Sequence, residues 1–179
     1  MKNIYLLILI IVAGCSKNYN DEQEIMTAGV KKIFESDQND RKSELRWSRL
    51  SKRDELRKKR ANQLIDSGLV ESAKEHQMVA YVFQHGNDSN DYAKAVSLMK
   101  KAIELDSTIN KRLYAAATDR YLLSTGKPQI YGTQYSKTKF KPWIMKNYDT
   151  TKVSDKERIE FGVGTLAEQR AKLKKLNNN

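Results

Sequence analysis

The chain has 179 residues, a formal net charge of +11 and a hydrophobic fraction of 39%. Its two prolines and eight glycines exclude a collagen-like or Pro/Gly-rich low-complexity chain. Its single cysteine excludes a disulfide within the chain. This composition indicates one domain of ordinary size with a modest apolar core and a basic surface.

The N-terminal segment predicts an export signal. Residues 1–14 contain one cation, Lys2, followed by the unbroken apolar run IYLLILIIV and then by small residues. A cationic start, a short apolar core and small residues at the cut are typical of a secretory signal peptide. The run is far shorter than the roughly 20 residues that span a bilayer. We therefore expect residues 1–14 to be cleaved.

Cys15 follows Ala13–Gly14 directly and precedes a polar stretch. This arrangement resembles the lipobox of bacterial lipoproteins, which implies that the Cys15 thiol is acylated and that the chain is cut before it. Several acyl chains on one residue make a stable anchor, whereas one chain holds a protein only weakly. The alternative is an ordinary cleaved signal with an accidental cysteine, but a lone thiol in an oxidising compartment would be a liability. We predict a lipidated N-terminus and tether at residues 15–21, anchored in the cell or outer membrane and facing the periplasm or cell surface.

After the tether, we predict a single helical domain at residues 22–176 and a tail at 177–179. Asp21 with Glu24 fits a helix N-cap. Met26, Val30, Ile33 and Phe34 then share one face at helical spacing. Residues 38–66 predict a long, mostly polar helix that ends at Ser67–Gly68. The few contacts expected of it are Leu45, Trp47, Leu50, Leu56, Ala61, Leu64 and Ile65.

The next three helices are predicted from apolar periodicity. Residues 70–85 contain the apolar run Met78–Phe83, so we expect them to form the most buried helix. The residues that precede this run favour a helix over a strand. Asp88 caps the following helix. That helix carries an apolar stripe of Tyr92, Ala95, Val96, Met99, Ala102 and Ile103. After a turn at residues 106–108, Ile109, Leu113, Ala116, Ala117 and Arg120 mark one side of a helix that ends at Gly126.

The pattern changes at Lys127–Pro128. The segments QIYGTQY (residues 129–135) and FKPWIM (residues 140–145) are aromatic and favour extended structure, so we predict a small β-hairpin or extended loop near residues 128–146. Ser154 with Glu157 and Thr165 with Glu168 are capping-box patterns, which predict two closing helices divided at Gly162–Gly164. The expected fold class is mainly α, a single helical bundle with this small hairpin.

Positive charge is concentrated in residues 41–60, where ten Lys/Arg stand against three carboxylates. A basic face can bind nucleic acid, anionic lipid head groups or acidic polysaccharide. The export signal argues against nucleic acid as a partner. The alternatives are a helix face that is simply solvated and one that contacts an anionic envelope surface or polymer.

Several polar residues occupy positions where a helical bundle does not need them. A charge near a core must be paired, because burying it alone costs several kcal/mol. The group comprises Asp37, Gln38, Asp40, Arg41, Gln84, His85, Asp88, Asp119, Arg120, Gln129, Tyr131, Gly132 and Gln134. These are the candidate binding residues, together with Arg158.

Residues 84–134 also carry a family resemblance. The QH pair at 84–85, the DR pair at 119–120 and the stretch GKPQIYGTQ at 126–134 resemble a bacterial family catalogued as domain of unknown function 6624. DQNDR at 37–41 and the segment 153–162 with Arg158 resemble further parts of that family. Relatives usually have two arginines where this chain has Glu157–Arg158, and Gly-Trp-Pro where it has Gly68–Leu69–Val70. The resemblance implies a mainly helical, often exported domain, and it implies no activity.

His85 is the candidate catalytic base, and it would need an orienting carboxylate from Asp88, Asp119 or Asp40. The alternatives are a structural hydrogen bond and ligand binding. His76 and His85 are nine residues apart, which places them near opposite faces of a helix, so a shared metal site is disfavoured. We expect no cofactor. For the Asp119–Arg120 and Asp40–Arg41 pairs we favour a buried ion-pair network. Gln129, Tyr131 and Gln134 either pin a tight loop or contact a ligand, and Gly132 allows a positive φ.

Three functions stay open. The first is a lipid-anchored envelope protein that acts as a binding or interaction module, for which we expect a groove lined by Arg120, Gln129 and Tyr131. The second is a hydrolase-like enzyme with His85 exposed in a pocket beside an aspartate. The third is a structural adaptor with these residues paired and closed, and with the basic face of residues 41–60 exposed for docking.

Overall fold

The computed structural model describes residues 22–178, which are mainly helical with a small two-stranded antiparallel hairpin. The predicted fold class, mainly α with a small hairpin, is confirmed. The signal peptide, Cys15, the tether and the Asp21 cap lie outside the described residues. The chain divides into two compact units at Val70, so that residues 22–70 belong to the first unit and 71–178 to the second. Each unit is described by itself.

The first unit contains a short helix α1 at residues 22–27, α2 at Val30–Asp40 and α3 at Trp47–Asp66. The continuous helix expected after Asp21 is interrupted at residues 28–29, where Gly29 is the extended N-cap of α2. Of the predicted face, Val30 and Ile33 are buried, whereas Met26 and Phe34 are half-buried.

The predicted start of the long helix at residue 38 is wrong, because residues 38–40 complete α2. The backbone turns there through hydrogen bonds from Lys42 N to Asn39 O and from Ser43 N to Asp40 O. No glycine or proline marks this turn. The predicted stop is confirmed, since α3 ends at Asp66 and Gly68 has φ +68°. There the Leu69 N–H donates to Leu64 O at 2.9 Å, which is the bond expected beyond a left-handed helix cap.

Charged side chains occupy the interior between α2 and α3. Arg57 has no exposed surface and donates to Asp40 Oδ2 and to Asp54 Oδ1, each at 2.5 Å. Arg53 also donates to Asp40, at 2.6 Å, and Arg41 donates to Asp54 at 2.7 Å and to Asp37 at 3.1 Å. Three arginines therefore meet three aspartates, and their charges cancel. We call this set the buried charge network: Asp37, Asp40, Arg41, Arg53, Asp54 and Arg57.

The network agrees with the ion-pair interpretation of Asp40 and Arg41, although the two residues do not pair with each other. Arg41 binds the carboxylates on either side of the helix turn, and Asp40 binds Arg53 and Arg57 of α3. Gln38 donates to Asp37 at 2.8 Å and so adds to the donors around that carboxylate.

The second unit begins with α4 at Ala73–Gln84, α5 at Ser89–Leu105 and α6 at Arg112–Ser124. The helical interpretation of residues 70–85 is confirmed, but α4 starts at residue 73 because Ser72 and Glu75 form a capping box. The predicted Asp88 cap is confirmed, since its side chain accepts the Asp91 N–H at 2.9 Å. The buried core of these helices consists of Val79, Ala80, Val82, Phe83, Ala95, Leu98, Met99, Ala102, Leu113, Ala115 and Ala117.

The hairpin is formed by β1 at Tyr135–Thr138 and β2 at Lys141–Met145. The predicted first arm at residues 129–135 is therefore placed too early, because residues 129–134 form a loop instead of a strand. Two closing helices follow, α7 at Asp155–Glu160 and α8 at Leu166–Asn178. The predicted capping box of Thr165 and Glu168 is present. At α7 only the Ser154 hydroxyl cap forms, since the Glu157 carboxylate accepts the Tyr131 hydroxyl instead. Gly162 and Gly164 between them both have positive φ. The predicted tail at 177–179 is wrong in part, since α8 includes Asn177. No helix among residues 22–178 is both long and apolar enough to cross a membrane.

We expect Arg57→Met to destabilise the first unit by about 3–5 kcal/mol, because it leaves Asp40 and Asp54 buried with fewer donors. Hydrogen-exchange mass spectrometry on peptides from residues 30–66 measures this unit by itself. Lys59→Met, at an exposed position of the same helix, is the control and should change protection by less than about 0.5 kcal/mol. Equal protection in the two variants would contradict a stabilising role of the network.

Candidate functional site

The Asp119 carboxylate organises the segment that carries the QIYGTQ sequence. Asp119 lies on α6 and has no exposed surface. Its Oδ1 accepts the Ile130 and Tyr131 N–H groups at 2.8 and 2.9 Å, and its Oδ2 accepts the Thr133 N–H and hydroxyl, both at 2.8 Å. A carboxylate has about four acceptor positions, so these four bonds saturate it. The loop at residues 129–134, which we call the Asp119 loop, folds around this buried charge.

Two buried glutamine side chains hold the rest of the Asp119 loop. Gln129 Nε2 donates to the carbonyls of Gln134 and Lys146 at 3.0 and 2.8 Å, and its Oε1 accepts the Gln134 N–H at 2.9 Å. Gln169 of α8 donates to the Tyr131 carbonyl at 2.7 Å and accepts the Tyr148 hydroxyl at 3.1 Å. Of the two interpretations of Gln129, loop pinning is therefore the one that the geometry supports.

Gly132 lies where the Asp119 loop approaches α8. Its φ is +78°, as the sequence predicted, and a Cβ placed on it would lie 2.1 Å from Gln169 Oε1. Glycine is thus required both by the backbone conformation and by the space. Gly132 therefore allows the Asp119 loop to pack closely against α8.

The Tyr131 and Arg158 side chains also make hydrogen bonds within the fold. The buried Tyr131 side chain donates to Glu157 at 3.2 Å, and burial together with that carboxylate raises the pKa of the Tyr131 hydroxyl well above its ordinary value. Arg158 is 2% exposed and donates to Tyr148, Asp155 and the Thr150 carbonyl at 2.9 to 3.0 Å. Since Gln129 and Tyr131 are both buried, neither of them lines an open groove.

His85 follows α4 as its C-terminal cap and is half-buried. The three carboxylates considered as its partner all have structural roles. Asp119 has no acceptor position left, Asp88 caps α5, and Asp40 belongs to the buried charge network. These roles add no support to a catalytic pair.

Polar atoms of three predicted residues have no hydrogen bond in the described part of the chain, and one of them is Arg41 Nε. Gln84 Oε1 and Arg120 Nε are buried and have no partner among residues 22–178. Arg120 does not pair with Asp119, whose acceptor positions are filled by the Asp119 loop. The predicted Asp119–Arg120 ion pair is therefore wrong, because the backbone N–H groups of residues 130–133 replace the guanidinium.

The ten cations of residues 41–60 fall into three groups. Lys58 and Arg60 are half-buried and bonded to Glu55 and to the Ala28 carbonyl. Three arginines belong to the buried charge network, whereas Lys42, Arg46, Arg49, Lys52 and Lys59 are exposed to solvent. Arg46, Arg49 and Lys52 line a groove of about 680 Å³ whose apolar walls include Ile25, Leu45 and Leu56. We call it the basic groove.

Trp47 stands at the N-terminal end of α3, between Arg46 and Arg49 in sequence, and is 73% exposed. It was predicted to make a packing contact, and that prediction is wrong. Sequence periodicity alone could not reveal the exposure, because the turn at residues 41–46 shifts the start of the helix. The exposed indole is an additional functional candidate that the sequence did not suggest.

Comparisons with protein-family models, with curated proteins and with solved structures find no match. The resemblance to domain of unknown function 6624 therefore stays a prediction, and the candidate sites are judged on geometry alone.

We expect Gly132→Ala to destabilise the second unit more than Gly126→Ala. Both glycines have a φ near +77°, so both substitutions carry the left-handed penalty of about 1–2 kcal/mol. Only at Gly132 does the new Cβ meet other atoms, whereas Gly126 has nothing within 4 Å. The added overpacking should cost about 1–3 kcal/mol more, measured by urea unfolding. Equal losses would show that the Asp119 loop is not tightly packed.

Proposed function

We propose that the chain is a lipid-anchored cell-envelope protein that acts by interaction and not by catalysis, with the basic groove lying against the anionic head groups of the membrane that holds the anchor. The observation that carries the proposal is the separation of charges in residues 41–60. This function combines the first and third of the sequence-based alternatives.

The separation of charges supports surface binding over a purely structural role. If the whole basic stretch stabilised the fold, its cations would be paired inside, as Arg41, Arg53 and Arg57 are. Five Lys/Arg are instead exposed, whereas the exposed carboxylates of the same stretch are Glu44 and Glu55. Each Lys or Arg near an anionic membrane surface contributes about 1 kcal/mol of attraction.

Trp47 does not line the basic groove, but its exposed ring lies at the same end of α3 as Arg46. An indole has a large apolar body and one N–H donor, and it is favoured where an apolar phase meets water. In solvent the ring makes no packing contribution. Beside Arg46, it has both an apolar and an ionic reason to approach the head-group region.

The predicted anchor would keep the basic groove close to the membrane. Cys15 and Glu22 are seven residues apart, which is at most about 25 Å of extended chain. Glu22 lies in the wall of the basic groove and forms an ion pair with Lys52. A short tether gives a high effective concentration, so weak head-group contacts can form.

We expect a chain beginning at residue 16, without acyl groups, to cosediment with vesicles that contain anionic phosphatidylglycerol. Arg46→Glu combined with Arg49→Glu, both in the wall of the basic groove, should weaken this binding by about tenfold or more, because two attractive charges become repulsive. Lys100→Glu combined with Lys101→Glu, the same charge change at exposed positions of α5, is the matched control and should retain most of the binding. Equal loss in both pairs would mean that net charge alone, and not the basic groove, controls binding.

The anchor itself is tested by intact-mass analysis of the protein from the membrane fraction. We expect a chain that begins at Cys15 and carries acyl groups, and a Cys15→Ser variant that is not acylated and that high salt releases from membranes, because salt screens the head-group contacts that remain. An unmodified, uncleaved chain in the cytosol would contradict the localisation and reopen nucleic acid as a partner.

A further inference from the structure

The hairpin ends in an exposed aromatic ring. Phe140 lies in the connection between β1 and β2 and is 89% exposed. Ile144 of β2 is also exposed, at 52%. Leaving a phenyl ring in water forgoes the burial free energy of a large apolar side chain. The ring therefore contributes little to the stability of the second unit.

The surroundings of Phe140 are strongly basic. Lysines stand on both sides of it at positions 139 and 141, and Lys137 and Lys146 lie on the two arms. From residue 120 to residue 148 the sequence contains six Lys/Arg and no Asp or Glu. The Lys139 ammonium lies 5.6 Å from the centre of the Phe140 ring. An exposed apolar group and unopposed positive charge thus share the tip.

The hairpin is held by contacts at its base. Asn177 of α8 accepts the Trp143 N–H at 2.7 Å and donates to the Trp143 carbonyl at 3.0 Å. Gln129 donates to the Lys146 carbonyl, and the Lys146 N–H donates to the Gln134 carbonyl at 3.1 Å. These bonds fix the arms on α8 and on the Asp119 loop, so that residues 139–141 project from a supported base.

We infer that the hairpin tip is a membrane-contacting finger that inserts Phe140 into the head-group region of an anionic phospholipid bilayer. The inference rests on the proposed function only in that a bilayer is present at the anchor. Phe140 would gain apolar burial at the interface while the flanking lysines keep their ammonium groups at the lipid phosphates. We call residues 137–146 the finger.

The shape of the finger favours a bilayer over other anionic partners. An acidic polysaccharide would be attracted by the lysines, but it would give the Phe140 ring no apolar phase. A bilayer accepts a convex apolar tip without a preformed socket, and its anionic head groups complement the lysines of the finger.

The test depends on the acylation of Cys15, the only cysteine of the chain. In the acylated protein the Cys15 thiol is blocked, so Phe140→Cys introduces a single reactive thiol that can carry the fluorophore NBD. The labelled, full-length lipidated protein is placed in vesicles with or without phosphatidylglycerol. We expect NBD emission at position 140 to shift to shorter wavelength in anionic vesicles and to be quenched by spin-labelled lipids. Adding Lys139→Glu and Lys141→Glu should reverse most of the shift.

Ser107→Cys, in the exposed turn before α6, is the matched control and should give a water-like emission and severalfold weaker quenching. Water-like emission at position 140 in a protein that still cosediments with the vesicles would overturn the finger and leave the basic groove untouched. A shift produced by soluble acidic polysaccharide and not by vesicles would also overturn it. If the parent protein itself reacts with NBD, the anchor proposal fails. The finger is then tested in the same way after Cys15→Ser.

Discussion

A buried charge needs a partner for each interaction that it loses to water, and both units of this protein are arranged around that requirement. In the first unit Arg57 lies without exposed surface between two aspartates. In the second unit Asp119 accepts four hydrogen bonds from one loop. Leaving any of these groups unpaired would cost several kcal/mol, a large share of the stability of a small domain. The turn at residues 41–46 and the Asp119 loop are the local structures that bring the partners into place.

The two units meet this requirement in different ways. The first unit uses side chains of opposite charge, so that removing either partner leaves a charge behind. The second unit uses backbone N–H groups, which do not titrate and are present whatever the side chains are. Asp119 therefore fixes the path of residues 130–133 and not the identity of every residue there. Residue identity matters at Gly132, where a side chain has no room, and at Gln129 and Thr133, whose side chains make hydrogen bonds.

Local features of the sequence predicted most of the helices. The Asp88 and Ser154 caps, the capping box at Thr165 and the glycine that ends α3 depend on neighbours within a few residues, and the structure contains all of them. The helical state of residues 73–84 was predictable for the same reason. Fold class followed from these elements.

Contacts between distant residues were not predictable from the sequence. Arg57 and Gln169 drew no attention because their partners lie far away in the chain, at Asp40 and at Tyr131. The first hairpin arm was misplaced because QIYGTQ is apolar enough for a strand, whereas Asp119 takes its backbone donors. The ion-pair network expected around Asp119 and Arg120 does not form, because three backbone N–H groups and the Thr133 hydroxyl fill the acceptor positions of Asp119. Most of the motif residues make hydrogen bonds inside the fold, whereas Trp47 and Phe140, which the motifs do not include, are exposed.

The contact between Asn177 and Trp143 links the last turn of α8 to the hairpin, although 34 residues separate them. Both bonds are made by one side-chain amide close to the C-terminal end of the helix, where helices fray most readily. The orientation of the lysine-rich hairpin is therefore sensitive to changes at the C-terminal end of α8. An affinity tag fused directly after residue 179 would disturb this helix turn. Tags for studies of the hairpin should therefore be placed elsewhere or be attached through a flexible spacer.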